Sequence, residues 1–274
     1  FYYIPAYDNA MQWLFFVSHR TGTPQLFAEH RETEGLLQLT ERDDINEWSL
    51  HPSHDGNHLY FTTTTGGWRV ELASLREERL IDFAGAKKSS GMVGAGMGTT
   101  TLSHDDRWWA IPVRRNSISQ LLIVNTHTLE SQVACENDSI GHPQFHPQDS
   151  NLIRYGGPYD RRIWVTHRDG TENRLIYDRD VSKKEWIVHE CWRPHTREIL
   201  TTNWPHGVMA IHIDTGAWRW VTRFNAWHPM VAPSGKTMIT DTKTPDIGLQ
   251  RFDIECSETS PTTLCQSNAS NIGN

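Results

Sequence analysis

The segment His51-Pro52-Ser53-His54-Asp55-Gly56, followed by Leu59-Tyr60-Phe61-Thr62, decides the fold, because its pattern of a polar turn and a short β-rich run recurs along the chain. Six such runs begin near residues 14, 59, 108, 152, 199 and 238, at intervals of 39 to 49 residues. No stretch of 12 or more residues has the apolar periodicity of an amphipathic helix. The other five runs are Leu14-Phe15-Phe16-Val17, Trp109-Ala110-Ile111-Pro112, Leu152-Ile153-Arg154-Tyr155, Ile199-Leu200-Thr201-Thr202 and Met238-Ile239-Thr240-Asp241.

Each repeat then adds a second strand and a tight turn, as at Arg20-Thr21-Gly22, Arg168-Asp169-Gly170 and Asp214-Thr215-Gly216. Glycine supplies the positive φ that hairpin turns need. A repeat of about 40–50 residues that holds about four strands is typical of a β-propeller blade. The sequence therefore predicts an all-β protein, a β-propeller with about six blades in this chain and a seven-bladed parent. We expect residues 1–274 to form a single propeller domain that is truncated at both ends.

Composition excludes several classes of protein. The 274 residues include 37% hydrophobic and 22% charged residues, and the mean hydropathy is −0.58. The longest apolar runs, such as Trp13–Val17, are far shorter than the ~20 residues that span a bilayer. A formal net charge of −7 argues against a nucleic-acid partner. Four scattered cysteines without a CxxC pair argue against a disulfide scaffold. Together with the lack of an export signal, free thiols favour the cytoplasm, with the periplasm as an alternative.

Three histidines, His142, His189 and His228, occupy the same position in three consecutive repeats, five residues before the proline of the polar turn. This position belongs to the first strand of a blade, which lines the central channel of a propeller. The first three repeats carry Tyr3, Glu47 and Gly98 there, so histidine is not a structural requirement of the repeat. The pattern therefore favours a shared functional site over three unrelated buried histidines, with the imidazoles at similar height around the channel.

The residues alone leave the chemistry of this site open. A neutral imidazole is a common ligand of divalent transition metals and also the usual general base near neutral pH. Arg162 and Glu190 are nearby polar candidates. The alternative for Arg162 is a surface position on a blade, and for Glu190 it is a side chain turned away from the channel by strand alternation. Cys135 and Cys191 are interpreted as buried structural thiols.

Several motifs together resemble the oligogalacturonate lyases, which are seven-bladed propellers of the TolB-like kind. The resemblance is strongest over roughly residues 90–265, and no single motif is specific alone. It implies β-elimination on short, demethylated pectin fragments with a manganese ion in the channel. The motifs are Gly96-Met97-Gly98-Thr99, Ile140-Gly141-His142-Pro143, Gly157-Pro158-Tyr159-Asp160, Arg162-Ile163-Trp164, Arg168-Asp169-Gly170, His189-Glu190-Cys191-Trp192 and His228-Pro229-Met230.

The resemblance also implies roles for individual residues. The proposed base of the family falls on His189, although Cys191 replaces the usual aromatic residue of that motif. Arg162 is expected to serve the substrate or the base, His142 to bind substrate, and His228 to be the first metal ligand. The remaining ligands of the family, a glutamine and two histidines, are expected beyond Asn274. Gly156 stands where the family has an acidic residue.

The sequence thus predicts a metal-dependent lyase that acts on an acidic oligosaccharide, with Mn²⁺ or another divalent transition metal as cofactor. No nucleic-acid or membrane partner is expected. One alternative is a non-catalytic TolB-like propeller that binds protein or glycan, and another is a lyase or hydrolase acting on a different uronate sugar. A His-Pro-His segment after Asn274 would favour the enzyme.

Overall fold

The computed structural model of the chain describes residues 6–83, 98–255 and 261–266, together with the backbone of residues 87 and 88. These residues form six antiparallel sheets. One 3-10 turn at Val181–Lys183 is the single helical element in this part of the chain. No helix among these residues has the length and apolar character needed to span a membrane.

The first three sheets contain β1 to β12. The first sheet is β1 (Trp13–Ser18), β2 (Gln25–His30) and β3 (Leu36–Gln38), paired in that order. The second is β4 (His51–Pro52), β5 (His58–Thr62), β6 (Gly66–Glu71) and β7 (Glu77–Asp82). The third contains β8 (Lys87–Lys88), β9 (Thr101–Leu102), β10 (Trp108–Arg115), β11 (Ile118–Asn125) and β12 (Ser131–Asn137). In this sheet β10 pairs with β8, β9 and β11, and β11 pairs with β12.

The other three sheets have four strands each, paired in chain order. The fourth is β13 (Gly141–His146), β14 (Asp149–Gly156), β15 (Ile163–His167) and β16 (Arg174–Tyr177). The fifth is β17 (Trp186–Trp192), β18 (Glu198–Trp204), β19 (Gly207–His212) and β20 (Trp218–Thr222). The sixth is β21 (Met230–Val231), β22 (Thr237–Thr240), β23 (Leu249–Asp253) and β24 (Thr262–Cys265).

The six repeated runs of the sequence are confirmed as strands. They form β1, β5, β10, β14, β18 and β22, and each strand begins within three residues of its predicted start. The turn glycines also have the predicted left-handed backbone, with φ of 103° at Gly22 and 86° at Gly170. At Gly170 a Cβ atom would lie 2.3 Å from the carbonyl oxygen of Ala134, so only glycine fits there.

The chain divides into two compact units. The first comprises Phe1–Phe145, Asp149–Pro158 and Thr166–Asn173, and the second comprises His146–Gln148, Tyr159–Val165 and Arg174–Asn274. Apolar side chains on facing strands form the core of the first unit, as with Phe15, Leu59 and Phe61 in one cluster. Trp109 packs edge-on against Tyr60 at 5.4 Å between ring centroids and extends this core to the third sheet.

In the second unit, the fifth sheet supplies most of the buried apolar side chains, such as Ile199, Leu200 and Val208. Two side chains of this sheet form hydrogen bonds with residues 227–229, the segment that precedes the sixth sheet. The Thr202 hydroxyl donates to the carbonyl of Trp227 at 2.9 Å, and the Cys191 thiol donates to the carbonyl of Pro229 at 3.4 Å. These contacts place residues 227–229 directly beside β17 and β18.

Candidate functional site

His189 lies at a break in the pairing between β17 and β18. Val188 pairs with Thr202 and Cys191 pairs with Leu200, so His189 and Glu190 together oppose Thr201. His189 has a φ of 58°, in the left-handed region that non-glycine residues adopt rarely. A bulge of this kind changes the direction of its side chains relative to an unbroken strand. The half-buried His189 and the fully buried Glu190 therefore do not follow simple strand alternation.

His189 and His228 are brought together. Their imidazole centroids are 4.3 Å apart, with the rings inclined by 69°. Trp227 completes a three-ring cluster, with its centroid 4.4 Å from that of His189 and 5.7 Å from that of His228. An aromatic edge-to-face arrangement of this kind restricts the rotamers of all three side chains. The predicted proximity of these two histidines is thus present in the structure.

Asp241 orients His228 through two hydrogen bonds. One carboxylate oxygen accepts from the backbone N–H of His228 at 2.7 Å, and the other lies 2.8 Å from its Nδ1. Because an ionised carboxylate only accepts hydrogen bonds, this contact places the proton of a neutral imidazole on Nδ1 and the lone pair on Nε2. A ring fixed in this tautomer resembles the carboxylate-oriented histidines that ligate metals.

The expectation that His228 belongs to the first strand of its sheet is wrong. That strand, β21, begins at Met230, and His228 lies two residues before it. Pro229 intervenes and has no N–H for a sheet ladder, while the N–H of His228 is taken by Asp241 rather than by a strand. His142 and His189, by contrast, do lie in the first strands of their sheets, β13 and β17.

Arg162 and Glu190 form a buried ion pair. Arg162 Nε donates to Oε1 of Glu190 at 2.7 Å, and Nη2 donates to Oε2 at 3.4 Å. The side chains are 6% and 0% exposed, respectively. The surface alternative for Arg162 is therefore wrong, and its positive charge is balanced inside the protein. Glu190 is the carboxylate that balances it.

His142 belongs to the first unit, where it is buried and has a φ of 49°, again left-handed. Its assignment to substrate binding stays a prediction.

The structural interpretation of Cys135 and Cys191 is confirmed, since both are buried free thiols. Burial raises the pKa of the Cys135 thiol to about 12, which leaves it unreactive near neutral pH. The Gly96-Met97 half of one family motif lies outside the described residues.

Sequence reasoning missed two residues of the site, Trp227 and Asp241. Trp227 directly precedes His228, and Asp241 follows it by 13 residues at the end of a repeated β run. The backbone N–H of Trp227 donates to the carbonyl of Asp241 at 3.0 Å. Only this pairing of the segment around Trp227 with the segment around Asp241 brings the Asp241 carboxylate to the imidazole of His228. Because Trp227 directly precedes one of the three equivalent histidines, its position in the sequence could have marked it as a residue of the site.

No protein-family model matches the chain. The chain is 24% identical over 214 residues to the oligogalacturonate lyase of Dickeya dadantii (strain 3937), a match that covers 71% of this chain and 55% of that protein. It thus spans about half the length of this curated relative. Among solved structures, an oligogalacturonate lyase in complex with manganese superimposes with a TM-score of 0.83 at 21% identity, covering 98% of this chain and 78% of that chain. The resemblance to the oligogalacturonate lyases is confirmed.

Two further structures agree with this resemblance. The oligogalacturonate lyase of Vibrio parahaemolyticus gives a TM-score of 0.81 at 19% identity, covering 98% of this chain and 79% of that chain. TolB from Acinetobacter baumannii gives 0.59 at 12% identity, covering 89% and 62%. These likenesses confirm the all-β propeller fold, whereas the seven-bladed parent stays a prediction.

One of these oligogalacturonate lyases is a manganese complex, which raises the question of whether the residues of this chain suit a metal. Within residues 6–83, 98–255 and 261–266 no group of three or more histidine, cysteine or acidic side chains could hold a metal ion. His228 suits the role of one ligand, because Asp241 holds its Nδ1 and directs Nε2 away from the carboxylate. The described residues thus suit a metal ion in one respect: they supply the imidazole of His228 as one ligand and the carboxylate of Asp241 to orient it.

Proposed function

We propose that this chain carries the catalytic site of a lyase that cleaves oligogalacturonate, the acidic fragments of pectin, by β-elimination. The observation that carries the proposal is the pair of His189 and His228, 4.3 Å apart at their ring centroids. One ring is oriented by Asp241, and the other lies on a strained bulge. Strained backbone and oriented imidazoles are features that cluster at catalytic sites. The similarity to three oligogalacturonate lyases supports this substrate class.

His189 is the proposed base. The hydrogen on C5 of a uronate is α to a carboxylate and only weakly acidic, so its removal needs a base held within hydrogen-bond reach. Contacts with Trp227 and His228 hold the His189 ring before substrate binds. A preoriented base avoids the entropy cost of being ordered during the reaction.

The reaction then follows from general chemistry. His189 takes the C5 proton, and the electron pair of that C–H bond forms a double bond between C4 and C5. The bond from C4 to the glycosidic oxygen breaks with its electron pair going to that oxygen, which takes a proton from water and leaves as the hydroxyl of the released sugar. The product carries an unsaturated uronate conjugated to its carboxylate. Negative charge develops on that carboxylate in the transition state, so positive groups nearby lower the barrier.

A divalent cation such as Mn²⁺, when bound, would supply that positive charge as a Lewis acid at the substrate carboxylate. His228 would contribute its Nε2 as one ligand, oriented by Asp241. Arg162 is proposed to hydrogen-bond the substrate or the base. Because Glu190 balances its charge, Arg162 would position groups rather than supply net attraction. His142 is proposed to contact substrate.

The test follows the ultraviolet absorbance of the new conjugated double bond. The purified protein is stripped of metal and incubated with oligogalacturonate, with and without Mn²⁺. We expect metal-dependent absorbance that His189→Ala reduces by at least about 100-fold, the range of general acid–base catalysis. His206→Ala is the matched control, because His206 is an exposed histidine of the same unit and should leave the rate unchanged.

Either of two results would overturn the proposal. Folded protein that yields no absorbance with any divalent metal would favour a non-catalytic propeller or a different uronate substrate. Absorbance that persists in His189→Ala, with circular dichroism like that of the parent protein, would retain the lyase and remove His189 as its base.

A further inference from the structure

Two short segments of the second unit pair directly beside the histidines. Ala226 forms an isolated antiparallel bridge with Thr242, and the N–H of Lys243 donates to the carbonyl of Asn225 at 3.2 Å. The side-chain amide of Asn225 returns a hydrogen bond to the Lys243 carbonyl at 2.8 Å. We call residues 225–228 and 241–243 the bracket. The same pairing that brings Asp241 to His228 therefore fixes the backbone of Lys243.

The Lys243 ammonium lies over the indole of Trp227, with Nζ 4.2 Å from the ring centroid. The same indole contacts His189, the proposed base, at 4.4 Å between centroids. One aromatic side chain therefore touches both a cation and the base. A cation–π contact holds the ammonium in place without neutralising its charge. Both Lys243 and Trp227 remain partly exposed and open to a ligand.

Lys243 differs from Arg162, the other positive side chain named at the candidate site. The Arg162 guanidinium is balanced by Glu190, whereas His228 is a hydrogen-bonded imidazole held by Asp241. Among the residues that the structure describes, no carboxylate forms an ion pair with Lys243. The bracket thus presents an ammonium that is not held in an ion pair by any described residue, over the ring that contacts the proposed base, in a chain whose formal net charge is −7. A polyanionic ligand needs such a local charge to overcome the general repulsion.

Aromatic surface continues from Trp227. Trp186 and Trp204 lie 5.8 Å and 6.1 Å from it, and 5.4 Å from each other, measured between ring centroids. All three indoles are partly exposed. Indole rings offer flat apolar surface with a polar edge, which suits the C–H faces of a pyranose ring. A cation at the margin of an aromatic surface matches the chemistry of a sugar acid.

We propose that Lys243 and Trp227 form a subsite for one uronate unit of the substrate, in which the ammonium binds the sugar carboxylate and the indole contacts the ring. Lys243 is a positioning and specificity residue here, since it is separated from the base by Trp227. The identity of the sugar rests on the proposed function, but the preference for an anionic sugar over its neutral ester follows from the charge of Lys243.

The test compares Lys243→Met, which keeps an apolar stem over the indole, with Lys243→Arg, which keeps the charge. Binding of oligogalacturonate and of its fully methyl-esterified form is measured by titration calorimetry, and cleavage by absorbance. We expect Lys243→Met to weaken binding of the acidic oligosaccharide by about tenfold, the value of a hydrogen bond to a charged group. The ester should bind as it does to the parent protein. Lys243→Arg should restore most of the lost affinity.

Kinetics separate this role from a structural one. In Lys243→Met, KM should rise about tenfold while kcat changes by less than twofold, and the dependence of KM on salt concentration should become shallower. Lys236→Met is the matched control, because Lys236 is an exposed lysine of the same unit that lies on the turn before β22, and it should leave both constants unchanged.

Three results would overturn the subsite. These are an unchanged affinity of Lys243→Met for the acidic oligosaccharide, an equal loss of affinity for the acid and its ester, or no binding of oligogalacturonate to the parent protein. A parent protein that binds oligogalacturonate through Lys243 without cleaving it would instead contradict the proposed function and retain the subsite.

Discussion

At the scale of single residues, the pair of Arg162 and Glu190 separates stability from catalysis. Replacing Glu190 by glutamine would leave the guanidinium of Arg162 as a buried charge without its counterion. Breaking a buried ion pair from one side costs about 3–5 kcal/mol, so we expect Glu190→Gln to lower the free energy of unfolding by about that amount in urea denaturation. The control is Asp214→Asn, which removes the exposed partner of Arg197, where both side chains are more than 40% exposed. That change should cost less than about 1 kcal/mol.

A loss below about 1 kcal/mol in Glu190→Gln would contradict the burial of this pair. The result also bears on activity measurements. If Glu190 keeps Arg162 in place, substitutions at either residue will lower the folded fraction. Any loss of activity in such a variant has to be corrected for that fraction before Arg162 is given a catalytic role.

Asp241 is the second test at this scale, because it accepts hydrogen bonds from both the backbone and the ring of His228. An asparagine offers one acceptor oxygen in place of two, so it can preserve only one of these bonds. Loss of an orienting carboxylate typically reduces metal affinity by about 10–100-fold. We expect Asp241→Asn to weaken Mn²⁺ binding by that factor, measured from the electron paramagnetic resonance of free Mn²⁺. Unchanged affinity, or no Mn²⁺ binding by the parent protein, would remove His228 as a ligand.

At the scale of strands and segments, the sequence predicts what depends on near neighbours. Alternation and β-branched residues identify β5 or β18 because these signals lie within five to seven residues. The bulge at His189 could not be predicted, because it is a property of the pairing of β17 with β18. The place of His228 outside β21 could not be predicted either. Its N–H donates to the side chain of Asp241, 13 residues away, instead of to a neighbouring strand.

The candidate site shows the same limit. The register of three histidines correctly indicates that His189 and His228 lie together, although, of these two, only His189 lies in the first strand of its sheet. Lys243 follows Thr240-Asp241-Thr242 with no pattern that sets it apart. It reaches Trp227 only through the bridge between Ala226 and Thr242. Partners supplied by long-range pairing carry no local signature in a single sequence.

At the scale of the whole molecule, the 15 histidines are the side chains whose reference pKa lies just below neutral pH. The formal net charge of −7 counts all 15 histidines as neutral, so protonating every one would bring it to +8. Protonation of a side chain changes the stability of the fold only where the folded and unfolded states bind the proton differently. A histidine that is buried and neutral meets this condition, because only the unfolded chain can protonate it at mildly acidic pH.

His51 in the first unit is such a residue. It is 7% exposed, and burial, assisted by the nearby His54, lowers its pKa from 6.5 to about 3. Between these values the unfolded state binds the extra proton, so the stability contributed by neutral His51 is complete above pH 6.5 and is lost as the pH falls toward 3. Between these pH values the free energy of unfolding falls by about 1.4 kcal/mol for each unit by which the pH decreases.

We therefore expect the free energy of unfolding, measured in urea from pH 7 to pH 4, to fall less steeply in His51→Gln than in the parent protein. Glutamine keeps a donor for the carbonyl of Pro52, which lies 2.8 Å from Nδ1 of His51, but it does not titrate. His206→Gln, at an exposed position, should retain the slope of the parent protein. Parallel curves for His51→Gln and the parent protein would show that acid acts elsewhere. Because the proposed base lies in the second unit, a flatter curve in His51→Gln with unchanged kcat at neutral pH would separate acid stability from catalysis.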